Sequence, residues 1–213
     1  IEPFANLPET SPLPDLPVDD DAAVSGDDCI VIKLPAVKSK YQIISLNTKG
    51  DDLLAKISEL AETATAAEWA MLDIEIGILH INEQDSEQFT PQLLNYDISG
   101  VIDFKKGCYT GQEIVARMFY RSTAKKRLQL LSSPVKADAT DTIIYSEADA
   151  EKTAGILRVA NITDSAGGSL ILAILGIQAI VSLSPPRLLK ALPLEPAVNS
   201  ESFLQFLTLP YNK

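Results

Sequence analysis

The 213-residue sequence predicts an α+β fold of antiparallel sheets and helices that ends in a small antiparallel β-barrel. Two apolar, strand-like runs come first, and two segments with helical spacing of apolar residues follow. After residue 127 the sequence changes to short strand-like runs separated by polar turns. The order strand, strand, helix, helix lacks the regular alternation of a doubly wound sheet, and regular short strands are typical of a small barrel.

Three regions are expected along the chain. Residues 1–28 contain five prolines and two aspartate runs but no lysine or arginine, which predicts a linker or loop. Residues 29–122 are expected to form the α+β region. Residues 123–213 are expected to form the barrel, with 164–168 as a turn between two strands.

The α+β region is expected to begin with a hairpin of residues 29–34 and 41–46, in which Cys29 fills the core. Asp51 or Asp52 is expected to cap the helix that follows. The apolar residues at helical spacing in that helix are Leu53, Leu54, Ile57 and Leu60.

The second helix has clear start and stop signals. Thr65 and Glu68 stand at the spacing of a capping box, in which each side chain accepts from the other residue's backbone N–H. The helical pattern runs to Ile76, and Gly77 is the expected end of the helix.

Residues 105–117 read Lys-Lys-Gly-Cys-Tyr-Thr-Gly-Gln-Glu-Ile-Val-Ala-Arg and predict a loop followed by a third helix. Thr110 and Glu113 again have the spacing of a capping box. Gly107 and Gly111 allow a sharp turn or a close approach of the backbone to a ligand.

Cys108 therefore lies just before a helix N-terminus, beside Lys105 and Lys106. The helix dipole and the two cations favour a thiolate, and the same amides can hold an anion. The alternative is structural, because a free cysteine is often a small buried hydrophobe.

A cationic segment extends from residue 105 to residue 127 and is opposed only by Glu113. It contains Lys105, Lys106, Arg117, Arg121, Lys125, Lys126 and Arg127. Such a segment is either a solvated surface or a seat for a polyanion such as the glutamate tail of folate or an RNA backbone. Tyr109, Phe119 and Tyr120 either stack on a ligand ring or belong to the core.

Composition excludes several classes of function. The formal net charge of −11 argues against strong direct binding to nucleic acid or anionic membrane. Two scattered cysteines fit a reducing cytoplasm better than a disulfide framework. A single histidine, His80, excludes a multi-histidine metal site, and it is expected in a surface loop. We also expect no signal peptide, because the N-terminus is acidic and proline-rich. We expect no membrane span, since the longest apolar run falls short of the roughly 20 residues that a span needs.

The segment Lys106–Glu113 resembles the signature of the YgfZ family, whose members bind folate and are related in fold to the T-protein (aminomethyltransferase) of the glycine cleavage system. The resemblance continues in residues 74–78 (Ile-Glu-Ile-Gly-Ile) and in Phe-Thr-Pro-Gln at 89–92 with Asn95. It also includes Val115-Ala116-Arg117, Tyr120-Arg121, Lys126-Arg127 and the Leu-Pro-Tyr of 209–211. The strong part covers residues 69–130.

The sequence departs from the family pattern at several positions. Asp73 stands where the family often has arginine, Leu79 where it has proline, and Ser122 where it has glycine. The chain begins with Ile1, and we see no counterpart of the N-terminal segment that supplies part of the family's folate site, so we expect that segment to be lacking.

The resemblance implies a site for tetrahydrofolate or a one-carbon derivative. Glu75 would hold the pterin, since a carboxylate accepts two parallel N–H bonds. Otherwise Glu75 is an exposed helix carboxylate. Lys106 and Arg117 would attract the glutamate tail, and Cys108 would be the reactive group. Tyr109 and Gln112 complete the cofactor-binding residues that the resemblance implies.

The family resemblance further implies a folate-dependent accessory role in the assembly or repair of iron–sulfur enzymes, including one that methylthiolates tRNA. The partners would be folate, iron–sulfur enzymes or their assembly proteins, and a tRNA-modifying enzyme. Two alternatives stay open at this point. One is an aminomethyltransferase that transfers a one-carbon unit to tetrahydrofolate, and the other is a module that binds RNA or protein through the 105–127 segment.

Overall fold

The computed structural model describes residues 13–35, 39–45, 48–121, 124–137, 142–145, 154–162, 167–177, 187–190 and 204–211. Over these residues the fold is α+β, as predicted, with antiparallel sheets and three helices. The elements are β1 (Ala23–Ser25), β2 (Cys29–Leu34), β3 (Lys40–Ser45), α1 (Gly50–Ser58), α2 (Ala66–Glu75), α3 (Gln112–Arg121), β4 (Lys126–Ser133), β5 (Thr142–Tyr145), β6 (Ala154–Ile162), β7 (Gly168–Gly176), β8 (Arg187–Lys190) and β9 (Gln205–Leu207). The chain forms two compact units, Ile1–Leu72 and Asp73–Lys213. None of the helices in the described ranges has the length and apolar character needed to cross a membrane.

The first unit contains a three-stranded antiparallel sheet in the order β1-β2-β3. The predicted hairpin is confirmed, with Cys29 opposite Ser45 and Leu34 opposite Lys40. Cys29 is buried, as predicted, in a small core with Leu13, Val31 and Leu53. Strand β1 was not predicted, because its three residues lie in the acidic stretch that has the composition of a linker.

The predicted cap of α1 is wrong. The N-cap residue is Lys49, which makes no side-chain cap, and the helix begins at Gly50. Asp51 and Asp52 lie inside the first turn, where their negative charge interacts favourably with the positive end of the helix dipole.

The predicted capping box of α2 is confirmed. The Thr65 backbone N–H donates to Glu68 Oε2 at 2.7 Å, and the Glu68 backbone N–H donates to Thr65 Oγ1 at 3.2 Å. At the other end, Gly77 has a φ of 71° and donates its N–H to Ile74 O at 3.0 Å. The N–H of Ile78 donates to Asp73 O at 2.9 Å, which completes a Schellman motif and confirms Gly77 as the end of the helix.

The second unit contains a six-stranded antiparallel sheet in the order β8-β5-β6-β7-β4-β9. The strand-like runs predicted after residue 127 fall in β4, β5, β6 and β7. Within the ranges that the structure describes, β8 and β9 are the two edges of this sheet, so closure into a barrel stays a prediction. Most of the predicted turn at 164–168 lies outside the described residues.

A buried polar junction ties the end of the chain to the end of α2. The Tyr211 hydroxyl donates to Gly77 O at 3.3 Å, and Asn95 Nδ2 donates to Leu128 O at 2.8 Å and lies 3.3 Å from the same hydroxyl. Asn95 is 1% exposed, and Leu209 is fully buried. Burial raises the pKa of Tyr211 above its ordinary value, so the hydroxyl keeps its proton for the bond to Gly77.

An ion pair lies beside this junction. Arg127 donates to both carboxylate oxygens of Asp97, at 2.8 and 2.9 Å, and the Asp97 side chain is 3% exposed. The hydrogen bonds that Arg127 donates to Asp97 raise the pKa of Arg127 further above its already high ordinary value. The pair joins Asp97 to Arg127 in β4 and so fixes the 89–97 segment against the start of that strand. Removal of one partner would leave an uncompensated buried charge.

Replacement of Gly77 by alanine tests the packing at the end of α2. An added Cβ would lie 2.4 Å from Leu209 Cδ2 and 2.7 Å from Tyr211 Oη, in a left-handed backbone conformation. We expect Gly77→Ala to lower the free energy of unfolding by about 2–5 kcal/mol, from backbone strain and overpacking together. The midpoint of urea unfolding measures this loss.

Gly100→Ala is the matched control, since Gly100 has a φ of 83° but an added Cβ there would meet no atom within 4 Å. This variant should lose only the backbone term of about 1–2 kcal/mol. Equal losses for the two variants would show that Leu209 and Tyr211 do not close the space above Gly77.

Candidate functional site

The loop before α3 is held by short-range hydrogen bonds. The Lys105 backbone N–H donates to Asp103 Oδ1 at 2.7 Å, and the Tyr109 backbone N–H donates to Gln112 Oε1 at 3.2 Å. Gly111 adopts a φ of 85° immediately before the first helical residue. The loop therefore enters the helix through a left-handed turn that a glycine permits at little cost.

The predicted capping box of Thr110 and Glu113 is wrong. Because the left-handed turn falls at Gly111, α3 begins at Gln112, one residue later than a box at Thr110 requires. Glu113 instead lies 3.5 Å from Arg117, one turn along the helix, and its side chain is 87% exposed. Gln112, which reaches back to the Tyr109 N–H, provides the side-chain contact at this helix start.

Cys108 is a free, exposed cysteine in this loop. The structural alternative, in which Cys108 fills the core, is therefore wrong. Its neighbour Tyr109 is 36% exposed, and Lys106 Nζ lies 4.4 Å above the centre of the Tyr109 ring, at the distance of a cation–π contact. The loop thus presents a thiol, an ammonium group and an aromatic ring to solvent within four residues.

Glu75 is the last residue of α2 and is half-buried. Its Oε2 atom is buried and has no hydrogen-bond partner among the described residues. A buried carboxylate oxygen without a donor is costly, so this atom is a ready acceptor for an N–H group of a ligand. Within the described ranges, no hydrogen bond or ion pair joins Glu75 to the loop that carries Cys108.

A small pocket of about 140 Å³ lies against α3. Its lining residues are Gln92, Asp97, Ile98, Met118, Phe119, Ala124 and Arg127. Gln92 is 2% exposed and donates an Nε2–H to Val115 O at 2.9 Å, and its buried Oε1 atom has no hydrogen-bond partner among the described residues. This pocket contains none of the six residues that the sequence predicts for the site.

The cationic segment divides into two groups. Arg127 belongs to the buried pair with Asp97, and Arg117 lies within reach of Glu113. The other five are exposed and form no ion pair with any described residue: Lys105, Lys106, Arg121, Lys125 and Lys126.

The aromatic residues of this region form one cluster. Phe104 stacks on Phe119 with the ring centres 3.8 Å apart, and Tyr120 meets both rings edge-on, at 6.2 and 4.9 Å. The outer part of the cluster is accessible, since Phe119 is 39% and Tyr120 69% exposed. Phe104, which no sequence motif identified, holds the loop to the last turn of α3.

His80 is exposed, as predicted, and its Nε2 lies 3.2 Å from Asp73 Oδ2. Asp73 is buried. In the described part of the chain, no three His, Cys, Asp or Glu side chains are grouped as metal ligands.

Two relatives with curated names match this chain. A protein of Hamiltonella defensa subsp. Acyrthosiphon pisum (strain 5AT), named tRNA-modifying protein YgfZ, is 34% identical over 155 residues, which are 70% of this chain and 46% of the relative. A protein of the same name from Yersinia enterocolitica serotype O:8 / biotype 1B is 36% identical over 132 residues, 62% of this chain and 37% of the relative. The match thus spans less than half the length of either relative. No family model matches the chain.

The two cysteines are expected to differ in reactivity. Burial, together with the negative charge of Asp28, raises the pKa of the Cys29 thiol, whereas Cys108 is exposed beside two lysines. Since the thiolate is the nucleophile, we expect iodoacetamide to label Cys108 faster than Cys29 at pH 7. Peptide mass spectrometry over a time course measures both rates, and equal or faster labelling of Cys29 would contradict the predicted environment.

Proposed function

This chain belongs to the YgfZ family, and on that premise we propose that it is a folate-dependent accessory protein of tRNA modification. The observation that supports a folate site most directly is the buried, unpartnered Oε2 of Glu75. The names of the relatives support the connection to tRNA modification. The closed C-terminal barrel of residues 123–213, the T-protein-like fold and the cytoplasmic location belong to the same proposal.

In this proposal Glu75 accepts hydrogen bonds from the pterin of tetrahydrofolate or a one-carbon derivative. The amino-amide edge of a pterin presents two parallel N–H groups, and a carboxylate is the side chain that accepts both. An acceptor that is already buried and lacks a donor gains a full hydrogen bond when the ligand arrives, with no competing protein contact to break.

The signature loop supplies the second part of the proposed site. Lys106 and Arg117 attract the anionic glutamate tail, and Tyr109 and Gln112 contribute an aromatic face and an amide. Arg117 is 68% exposed, so its guanidinium can turn from Glu113 to a ligand at little cost. Cys108 is the reactive group, since it is the exposed thiol of the loop.

The proposed partners are iron–sulfur enzymes or their assembly proteins, including an enzyme that modifies tRNA. Among the two cysteines of the sequence, Cys29 is buried and Cys108 is exposed in a different unit of the fold. Because an iron–sulfur cluster needs several thiolates at one place, the cluster in this proposal belongs to the partner enzyme.

Loss of the Glu75 carboxylate tests the folate site. We expect tetrahydrofolate to bind the chain saturably in a calorimetric titration, and Glu75→Gln to weaken binding by roughly tenfold or more, because an amide accepts at only one atom. Glu83→Gln is the control, since Glu83 is exposed and its side chain makes no described contact. Absence of saturable binding, or equal binding by the two variants, would contradict the site.

Replacement of Cys108 by serine separates folding from function. An exposed position should change the free energy of unfolding by no more than about 0.5 kcal/mol. We expect Cys108→Ser nevertheless to abolish the restoration of tRNA methylthiolation in cells that lack the endogenous relative. Full restoration would overturn the assigned role of the thiol. Turnover of a glycine-cleavage intermediate by the wild-type chain would instead establish the aminomethyltransferase alternative.

A further inference from the structure

The exposed cations around α3 are concentrated on a protein whose net charge is −11. They are not neutralised locally, because none of the five forms an ion pair with a described residue. On an acidic chain such a concentration sets up a local field that attracts an anion to one place on the surface. The proposed folate tail accounts for Lys106 and Arg117 and leaves Arg121 and Lys125 without a role.

The chain positions of Arg121 and Lys125 place them beside the pocket against α3. Ala124 and Arg127 both line the pocket, so Lys125 lies next to one lining residue and two positions before another. Arg121 follows the lining residue Met118 by three positions, about one turn along the same helix, so the two side chains lie on the same face. Both exposed cations thus belong to the chain segments that form the pocket wall, each within three residues of a lining residue.

The pocket combines a flat wall with hydrogen-bonding groups. The Phe119 ring is fixed from one side by the Phe104 ring, 3.8 Å away, and also lines the pocket. Gln92, which also lines the pocket and is almost fully buried, has an Oε1 atom without a donor among the described residues. A small planar group that carries an N–H donor matches this combination.

We propose that this surface binds single-stranded nucleic acid, with one unstacked base at the pocket beside Phe119 and the adjoining phosphates on Arg121 and Lys125. Aromatic side chains that stack on bases and cations that follow the backbone are the common means of single-strand recognition. A partner protein with an acidic surface would bind to the cations, but it would not need a pocket that accepts a planar group. The inference goes beyond the proposed function and holds whether or not tetrahydrofolate binds at Glu75.

Fluorescence anisotropy of the whole chain with a labelled single-stranded RNA 12-mer tests this surface. We expect affinity to fall with salt between about 50 and 200 mM, with a slope that Arg121→Gln combined with Lys125→Gln reduces by about 1.4, or 0.7 for each lost phosphate contact. We expect Phe119→Leu, which keeps an apolar side chain, to weaken binding about tenfold with little change in the salt slope.

The matched control is Lys56→Gln combined with Lys136→Gln. Lys56 lies in the last turn of α1, as Arg121 lies in the last turn of α3, and both control lysines are exposed. The control should bind like the unmodified chain. Equal weakening in the control, no binding at low salt, or no effect of Phe119→Leu would overturn the proposal.

Two competitors distinguish this surface from other sites. If poly-glutamate displaces the labelled RNA as effectively as unlabelled RNA does, the surface binds acidic proteins and the proposal is overturned. If tetrahydrofolate displaces the RNA equally from the unmodified chain and from Glu75→Gln, the pocket binds folate, and this result also overturns the proposal. RNA binding that persists in the Cys108→Ser and Glu75→Gln variants would support the proposal, because these substitutions change only the proposed folate site.

Discussion

The second unit of this protein depends on a buried polar junction in which Gly77, Asn95 and Tyr211 share hydrogen bonds. Gly77 has no side chain, so the Leu209 and Tyr211 side chains can pack directly against its backbone at the end of α2. Asn95 also donates to Leu128 O, so the same junction holds the start of β4. Buried polar groups are stable only when they are paired, and here the pairing joins three distant parts of the chain.

This constraint explains why residues of the family-like motifs divide into two kinds. Gly77 and Asn95 are buried, Tyr211 is half-buried, and all three hold the fold, whereas Cys108 is exposed in a loop that the junction does not include. Glu75 lies between the two kinds. It is two residues from Gly77, so the Schellman motif fixes its backbone, yet one of its carboxylate oxygens has no donor in the part of the chain that the structure describes. A rigid backbone with an unsatisfied acceptor is a sound basis for ligand recognition.

The elements that sequence patterns predicted well are those set by local contacts. The capping box of Thr65 and Glu68 involves residues three positions apart, and it formed as predicted. The same pattern failed at Thr110 because the backbone of Gly111, free to adopt a left-handed turn, moved the helix start by one residue. The buried polar junction could not be predicted from local sequence patterns, since its hydrogen bond between Tyr211 and Gly77 joins residues 134 positions apart. The exposure of the Cys108 thiol likewise depends on the tertiary fold and could not be predicted from local sequence.

We propose that the end of α2 and the loop before α3 form one folate site, although no hydrogen bond or ion pair joins Glu75 to that loop within the described residues. Amide hydrogen exchange followed by mass spectrometry, with and without tetrahydrofolate, tests this claim most directly. The account predicts slower exchange on ligand addition in both segments, 74–80 and 105–113, with the β1-β2-β3 sheet unchanged. Protection of only one segment, or of neither, would contradict a single site built from both.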